Sequence, residues 1–406
     1  MDRFVVPSPS SASSSSGHAG RPTGVEASAE GSVASVWAER ADEAARSVVP
    51  MFGSRVWGVP GTHLGVVRRP RPPVGEWTWN YWWQAHYLDV LVDAGLRHGR
   101  AGDVAGARAY ERLAGRLVDS IWLRNGGRFT NDFYDDMAWL WLAVGRLEAW
   151  RRESGWPSSW RSRRLVRVLS SRLVEGHTGD LGGGVFWTRR HDRKNVPASA
   201  PAAIGWARAG EVERARQVVE WIFATLFDER RGLALDTIWL DGRVDDTVYS
   251  YNQGVLLGAL LAVGDERSSE RAARVVEAVA RHLCLPGSAV LRAFGDGDAG
   301  LFTGILVRYL AEAALSEALP GPVRARAAEL VEGSAAAWWQ GSVVVDGPRR
   351  ARVFPVVPGS PILGVVSSPL EFSPQVQAWT ILEAAASVAA GGGFSVDGPI
   401  SGRWVR

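Results

Sequence analysis

Two adjacent carboxylates, Asp135 and Asp136, are the residues best suited to chemistry, because they interrupt a stretch that is otherwise almost wholly apolar. A charge is costly to remove from water, and a like charge beside it makes burial harder still. Neighbouring Cα atoms are about 3.8 Å apart. The carboxyl groups can therefore lie roughly 5 Å apart, the separation that lets one attack a sugar while the other acts as acid and base. The structural alternative is that both stabilise the first turn of a helix through its dipole.

The other polar and aromatic residues that could contact a ligand stand at the beginnings of apolar stretches. Amides, hydroxyls and indoles suit a neutral polyol better than a phosphate or a metal, because they offer hydrogen bonds and flat apolar faces. The predicted substrate-binding residues are Trp79, Tyr81, Trp82, Gln84, His86, Asn131, Asp132, Tyr134, Trp187, Lys194, Asn195, Tyr251, Asn252, Gln253 and Asp296. We expect no metal and no cofactor.

Several of these residues also have a structural interpretation. The tryptophans at 79–83 could fill a core, and His86 on an apolar helix could be a hydrogen-bonded core histidine. Asp132 and Asn252 stand where a helix cap is expected. Lys194 is the only lysine of the chain, and its compact ammonium binds differently from the planar guanidinium of arginine. Taken singly, these residues leave both interpretations open.

The composition excludes several classes of function. Of the 406 residues, 46% are hydrophobic, which is ample for a large core, and the net charge is only +3. No concentrated basic stripe indicates nucleic-acid binding. The single cysteine, Cys284, excludes an internal disulfide and a cysteine-based metal cluster. No apolar run reaches the about 18 residues that indicate a membrane span.

The two ends of the chain differ in composition from the rest. Residues 1–31 are rich in Ser, Pro and Gly and contain no apolar run like that of a signal peptide. We expect 1–31 to be a disordered tail, 393–406 to be a short C-terminal tail, and the protein to be a cytoplasmic monomer.

Helical periodicity dominates the region between the tails. Glycine-, proline- and aspartate-rich breaks separate twelve predicted helices, at 32–49, 80–99, 103–123, 132–153, 158–174, 196–209, 211–227, 247–263, 267–283, 298–317, 322–339 and 373–390. The stretch 340–372 is expected to be a long loop with a short β-hairpin.

The predicted helices alternate in character. Odd-numbered helices are amphipathic and charged, whereas even-numbered helices are apolar or small on every side, as in 254–264. Six buried helices alternating with six half-exposed ones predict an all-α fold, an (α/α)6 barrel of six helical hairpins over residues 32–392. In such a ring the inner helices run parallel, so the candidate residues at their N-terminal ends would meet in one funnel.

Five segments in order along the chain carry a resemblance to a known family: 81–86 (Tyr-Trp-Trp-Gln-Ala-His), 131–139 (Asn-Asp-Phe-Tyr-Asp-Asp-Met-Ala-Trp), 194–195 (Lys-Asn), 251–254 (Tyr-Asn-Gln-Gly) and 304–309 (Gly-Ile-Leu-Val-Arg-Tyr). Together they resemble glycoside hydrolase family 76, the endo-α-1,6-mannanases with retaining chemistry on an (α/α)6 barrel. The resemblance runs from about residue 33 to residue 390, and the Asp-Asp segment is its most specific part.

The resemblance implies a retaining hydrolase of α-mannosidic linkages, with an α-mannan oligo- or polysaccharide as its substrate. Asp135 would be the nucleophile and Asp136 the acid/base. Two alternatives on the same barrel are a sugar isomerase or epimerase, which would need paired histidines near the ring centre, and a carbohydrate-binding protein without turnover. Only His86 and His191 could lie near the funnel.

Overall fold

The structure is a computed structural model that describes residues 26–71, 79–346, 350–360, 362 and 369–392. Within these residues the chain forms twelve α-helices, numbered α1 to α12 in chain order: Glu26–Phe52, Tyr81–Arg100, Val104–Arg124, Tyr134–Glu153, Trp160–Gly176, Val196–Arg208, Val212–Thr225, Ser250–Val263, Glu266–His282, Phe302–Leu315, Gly321–Gln340 and Phe372–Ala389. Each predicted helix corresponds to one of them.

The alternation of buried and half-exposed helices is present. Helix α9 buries residues that recur every three or four positions, such as Ala272, Val275 and Val279, so its opposite face meets solvent. Helix α8, just before it, is buried on nearly every side. Gly264, with a φ of 70°, ends α8, and the Asp265 carboxylate accepts a hydrogen bond from the Ser268 backbone N–H (2.8 Å) at the start of α9.

The even-numbered helices form a closed inner ring. Each packs against the next, from α2 through α4, α6, α8 and α10 to α12, and α12 packs back against α2. The odd-numbered helices lie outside, and α1 packs on α12. Gly254 allows the close approach of α8 to α10, because a Cβ there would lie 2.8 Å from the Leu306 Cα. The prediction of an (α/α)6 barrel is confirmed.

Four charged side chains cross the middle of this ring. Arg146 of α4 donates to Asp93 (2.6 Å) and Asp89 of α2, and Arg308 of α10 donates to both oxygens of Asp93. All four residues are buried. Because buried carboxylates and guanidinium groups need partners, this network fixes how three inner helices sit against one another.

Eleven strands of two or three residues, β1 to β11, lie between the helices: Gly53–Ser54, Leu64–Gly65, Arg68–Arg69, Arg193–Asn195, Phe227–Asp228, Leu233–Ala234, Thr237–Trp239, Val244–Asp245, Val343–Val345, Ala351–Val353 and Leu370–Glu371. Strands β4, β7 and β8 form an antiparallel sheet in which Asn195 pairs with Thr237 and Thr237 with Asp245. Strands β9 and β10 form the hairpin predicted within 340–372.

The first helix begins earlier than expected. Helix α1 starts at Glu26, so the last six residues of the predicted tail 1–31 are helical. Segment 26–31 reads Glu-Ala-Ser-Ala-Glu-Gly, and four of its six residues are the strong helix formers Ala and Glu, which favours the extension. Residues 1–25 and the predicted tail 393–406 lie outside the described residues. In the described part of the chain, no helix has the length and apolarity needed to cross a membrane.

Candidate active site

A cavity of about 920 Å³ opens where the N-terminal ends of five inner helices meet. Its lining includes residues just before or within the first turns of α2, α4, α6, α8 and α10, as the parallel inner ring requires. Of the residues predicted from the sequence, the cavity is lined by Trp79, Tyr81, Trp82, Asn131, Asp132, Asp135, Asp136, Trp187, Asn195 and Tyr251. Their contact with a substrate stays a prediction.

Asp135 is held by two donors. Its Oδ2 accepts from the Trp187 indole (2.8 Å), and its Oδ1 accepts from the backbone N–H of Asp136 (2.8 Å). Trp187 is itself fixed to the start of α4, because the Tyr134 backbone N–H donates to the Trp187 carbonyl (2.8 Å). The carboxylate is therefore oriented before any ligand arrives.

Asp136 has one side-chain partner, the Asn131 amide, which donates to its Oδ2. Asn131 is held in turn, because its side-chain oxygen accepts from the backbone N–H of Phe133 (3.0 Å). Both aspartates are half-buried and line the cavity, so each keeps contact with its open space.

The surroundings raise the pKa of both carboxyls. Burial raises the pKa of Asp135 to about 7; the nearby Asp236 also raises it, and the Trp187 hydrogen bond opposes the change. Burial and then the charge of Asp135 raise the pKa of Asp136 well above its usual range. Two such acids share protons as a pair. The charge of one therefore raises the pKa of the other, and burial raises the pKa of both.

Three further carboxylates that the sequence did not identify, Asp236, Asp245 and Asp298, line the cavity. Asp236 accepts from the Asn252 amide (2.8 Å) and from the Thr237 hydroxyl (2.8 Å), and burial raises its pKa. It lies in a loop before β7, so no helix start pointed to it. Asp298 accepts from the indoles of Trp82 (2.8 Å) and Trp83 (2.7 Å).

The sequence pointed to Asp296, whereas the cavity is lined by Asp298, two residues later; a sugar contact of Asp296 stays a prediction. Gly297 lies between them with a φ of 58°, in a 3-10 turn. The recurrence of Asp at 296 and 298 was a signal for this segment, but only the backbone decides which of the two faces inward.

The side chains of two predicted binding residues, Gln84 and Gln253, form hydrogen bonds with backbone groups and do not line the cavity. The Gln84 amide donates to the carbonyl of Gly65 (2.9 Å) and accepts from its N–H (2.9 Å). Gln253 makes the same pair of bonds with Ala234 (2.7 and 2.9 Å), and the unpredicted Gln375 makes it with Phe354 (both 2.9 Å). The structure thus places the amides of Gln84 and Gln253 on backbone partners and outside the cavity lining.

The Lys194 ammonium donates to groups within the protein. Its Nζ donates to the carbonyls of Thr178 (2.8 Å), Asp180 (2.8 Å) and Gly183 (2.7 Å) and to the Thr178 hydroxyl (3.0 Å). Burial lowers its pKa to about 8. Its function is to hold the turn that leads to Trp187, and it does not line the cavity.

The three remaining predicted residues, His86, Tyr134 and Asn252, lie behind the lining. His86 packs against the Trp139 ring at 4.8 Å, and burial lowers its pKa to about 3, which keeps it neutral. The Tyr134 hydroxyl bonds to the His191 ring (3.2 Å), and Asn252 orients Asp236. None of the three is part of the cavity lining, and a direct contact with the ligand stays a prediction for them.

Aromatic rings and an arginine form the walls. The Arg193 guanidinium lies 3.9 Å from the Trp187 ring centre and 5.7 Å from that of Trp239. Tyr251 and Phe302 stack at 4.1 Å across α8 and α10. Indole faces are apolar platforms with a polar edge. The sequence missed Trp239 and Phe302, since short strands and buried helix starts carry aromatic residues for packing as well.

Acids and aromatic platforms gathered at one end of a closed double ring of helices define a sugar-processing enzyme. No group of three or more His, Cys, Asp or Glu side chains in the described ranges is placed to hold a metal ion.

The model of the family described as Glycosyl hydrolase family 76 matches residues 36–347, so the chain belongs to this family and is a glycoside hydrolase.

Solved structures of similar proteins agree with this assignment. The α-1,6-mannanase GH76A of Salegentibacter sp. HEL1_6 is 27% identical, with a TM-score of 0.73 over 87% of this chain and 99% of that one. An inactive variant of it with two Asp→Asn substitutions, bound to α-1,6-mannotriose, gives a TM-score of 0.74 at 26% identity over the same shares. A Listeria innocua protein is 25% identical, with a TM-score of 0.72 over 88% of this chain and 99% of that one. The search of curated proteins gave no match.

Proposed function

We propose that the protein hydrolyses α-1,6-mannosidic linkages with retention of configuration, Asp135 acting as nucleophile and Asp136 as acid/base. The observation that carries the proposal is that the two adjacent carboxyls differ in their hydrogen bonds and in the causes that raise their pKa values. Asp135 accepts two hydrogen bonds that favour its charge, whereas the charge of Asp135 further raises the pKa of Asp136. A nucleophile must be ionised and an acid protonated, which is this division.

The reaction follows in two steps. The Asp136 carboxyl gives its proton to the glycosidic oxygen as the bond from that oxygen to the anomeric carbon breaks, and an Asp135 oxygen forms an ester with the same carbon. A water molecule then gives a proton to the Asp136 carboxylate while its oxygen displaces Asp135. Two inversions leave the product in the α configuration.

The relatives support the substrate class. The Salegentibacter enzyme is an α-1,6-mannanase that is inactive when two consecutive aspartates are replaced, and its variants bind α-1,6-mannotriose and mannotetrose. The same fold, a consecutive aspartate pair and an aromatic cavity in this chain favour the same linkage.

The test is product analysis on α-1,6-manno-oligosaccharides by proton NMR during the first minutes. We expect the α-anomer to appear first and Asp135→Asn to abolish turnover while the circular dichroism spectrum is unchanged. Initial β-anomer would overturn retention, near-normal turnover by Asp135→Asn would overturn the nucleophile, and an inert wild type on this substrate would overturn the linkage.

The isomerase alternative loses its main requirement. Of the described residues that line the cavity, none is a histidine. His191 stacks on Phe186 at 4.3 Å, behind the lining. A proton shuttle between sugar carbons would therefore have no imidazole to use.

A further inference from the structure

Trp57 is the most exposed large apolar side chain in the described part of the protein, with 68% of its surface accessible. An indole left in water forgoes the stabilisation that burial brings. It is also absent from the lining of the cavity, so the site already described does not explain it.

The backbone holds this indole outward in an unusual conformation. Trp57 has a φ of 48°, in the left-handed region that bulky residues seldom adopt. The turn around it is well fastened: the Val56 backbone N–H donates to the Thr62 hydroxyl (3.0 Å), and the His63 N–H donates to the Ser120 hydroxyl (2.7 Å). Such a conformation in a well-supported turn is typical of functional positions.

One arginine joins Trp57 to the cavity. The Arg124 guanidinium carbon lies 5.8 Å from the Trp57 ring centre and 5.5 Å from that of Trp79, and Trp79 lines the cavity. Asn125, the next residue, lines it as well. A continuous row of three side chains, Trp57, Arg124 and Trp79, therefore leads from the protein surface to the cavity rim.

We propose that Trp57 and Arg124 form an outer subsite that stacks a pyranose ring of a polysaccharide whose reacting end lies in the cavity. The inference rests on the proposed function in one respect: it takes the substrate to be a sugar polymer. The free indole area suits the apolar face of a sugar ring, and the guanidinium offers donors to ring hydroxyls. Because this row of side chains leads into the cavity, the expected occupant is a more distant part of the same polysaccharide chain.

The test compares Trp57→Ala with Trp160→Ala. Trp160 is a matched control, because it is 54% exposed and also lies beside an arginine, Arg161 at 4.8 Å, whose other aromatic neighbour is Trp122 outside the cavity lining. For Trp57→Ala we expect the KM for long α-1,6-mannan to rise about fivefold with kcat unchanged, the range of one aromatic contact. The KM for mannotriose should stay within about twofold, and Trp160→Ala should match the wild type on both.

Binding in an inactive background separates this proposal from the previous one. In Asp135→Asn protein, calorimetry with α-1,6-manno-oligosaccharides of increasing length should show an affinity gain at some length that Trp57→Ala removes. Equal affinities with and without Trp57 at every length overturn the outer subsite and leave the hydrolase assignment intact. An equal loss in Trp160→Ala also overturns it. If the wild type degrades another polysaccharide, a Trp57-dependent length effect on that polymer supports the subsite although the linkage was wrong.

Discussion

Aspartates in two regions of this barrel differ in acidity. In the ring centre, burial raises the pKa of Asp89, but the charges of Arg308 and Arg146 outweigh it and lower that pKa to about 2. At the N-terminal end, burial raises the pKa of Asp135 and Asp136, and no arginine reverses it. The same residue type is thus a fixed charge in the buried ring centre and a proton carrier at the half-buried cavity end.

The comparison shows where chemistry can occur in a helical ring. A carboxylate that is paired with a guanidinium contributes to the packing of helices and cannot exchange protons near neutral pH. A carboxyl whose partners are an amide, an indole and another carboxyl keeps its proton near the pH at which enzymes work. Four predictions test this difference, from the largest effect to the smallest.

Replacing the proton carrier should remove activity without loss of stability. We expect Asp136→Asn to lower kcat on mannan by about 10²- to 10⁴-fold, the usual contribution of a general acid/base. Thermal unfolding should be nearly unchanged, because the amide replaces a carboxyl of similar shape that is already neutral when it carries its proton. An activated aryl mannoside, which needs no proton on its leaving oxygen, should recover much of the first step. A comparable loss on both substrates contradicts the acid role.

Replacing an arginine of the ring centre should lower the stability of the fold. Arg308→Met leaves Asp93 buried with one cationic partner fewer, and we expect the free energy of unfolding to fall by about 3–5 kcal/mol. Chemical denaturation measures it. Arg326→Met is the control, because its pair with Glu329 is exposed, and a change within about 0.5 kcal/mol is expected there. Equal effects in the two variants would remove the distinction between the regions.

Lys194 is a third case, a buried cation held by carbonyl oxygens. Lys194→Met leaves the carbonyls of Thr178, Asp180 and Gly183 without their shared charged donor. We expect a loss of about 1–3 kcal/mol in unfolding free energy and a fall in kcat as the turn before Trp187 loosens. A residue that donated to sugar would instead raise KM at unchanged stability. Denaturation and steady-state kinetics on one preparation distinguish the two outcomes.

The smallest effect concerns pH. The acidic limb of kcat/KM should follow the ionisation of Asp135, since activity rises as this carboxyl loses its proton near pH 7. The charge of Asp236 raises that pKa, so Asp236→Asn should lower it and move the acidic limb toward lower pH. A limb that moves to higher pH, or does not move, contradicts the assigned coupling. The pH profile of kcat/KM on one oligosaccharide measures it.

The sequence allowed the ring to be predicted because inner and outer helices differ in periodicity, which is a property of composition along a helix. It also located the Asp135–Asp136 pair, since two charges in an apolar stretch are conspicuous. The direction in which a side chain points was harder to predict from the sequence. Gln84 and Lys194 stand at the correct ends of their segments, yet their donors turn to backbone carbonyls that lie far away in sequence or in an irregular turn.

Asp236 and Asp298 show the other limit of prediction from this sequence. Asp236 lies in a loop before β7 and Asp298 in a 3-10 turn before α10, and other aspartates stand near each of them in the sequence. What selects them is a spatial partner, the Asn252 amide for one and the Trp82 and Trp83 indoles for the other. Such pairings join segments that are distant along the chain, and no local pattern marks them.

The glutamines at the starts of α2, α8 and α12 have a consequence for how this barrel can diversify. Gln84, Gln253 and Gln375 each fasten one residue that lies 19 or 21 positions earlier, by both its N–H and its carbonyl. Each pair of hydrogen bonds resembles the pair between opposite residues of two neighbouring strands, and it fixes the segment at that residue. The segment between that residue and the helix can therefore be replaced by one of different length and chemistry. Such a replacement would change the specificity at the mouth of the barrel and leave the ring of helices as it is.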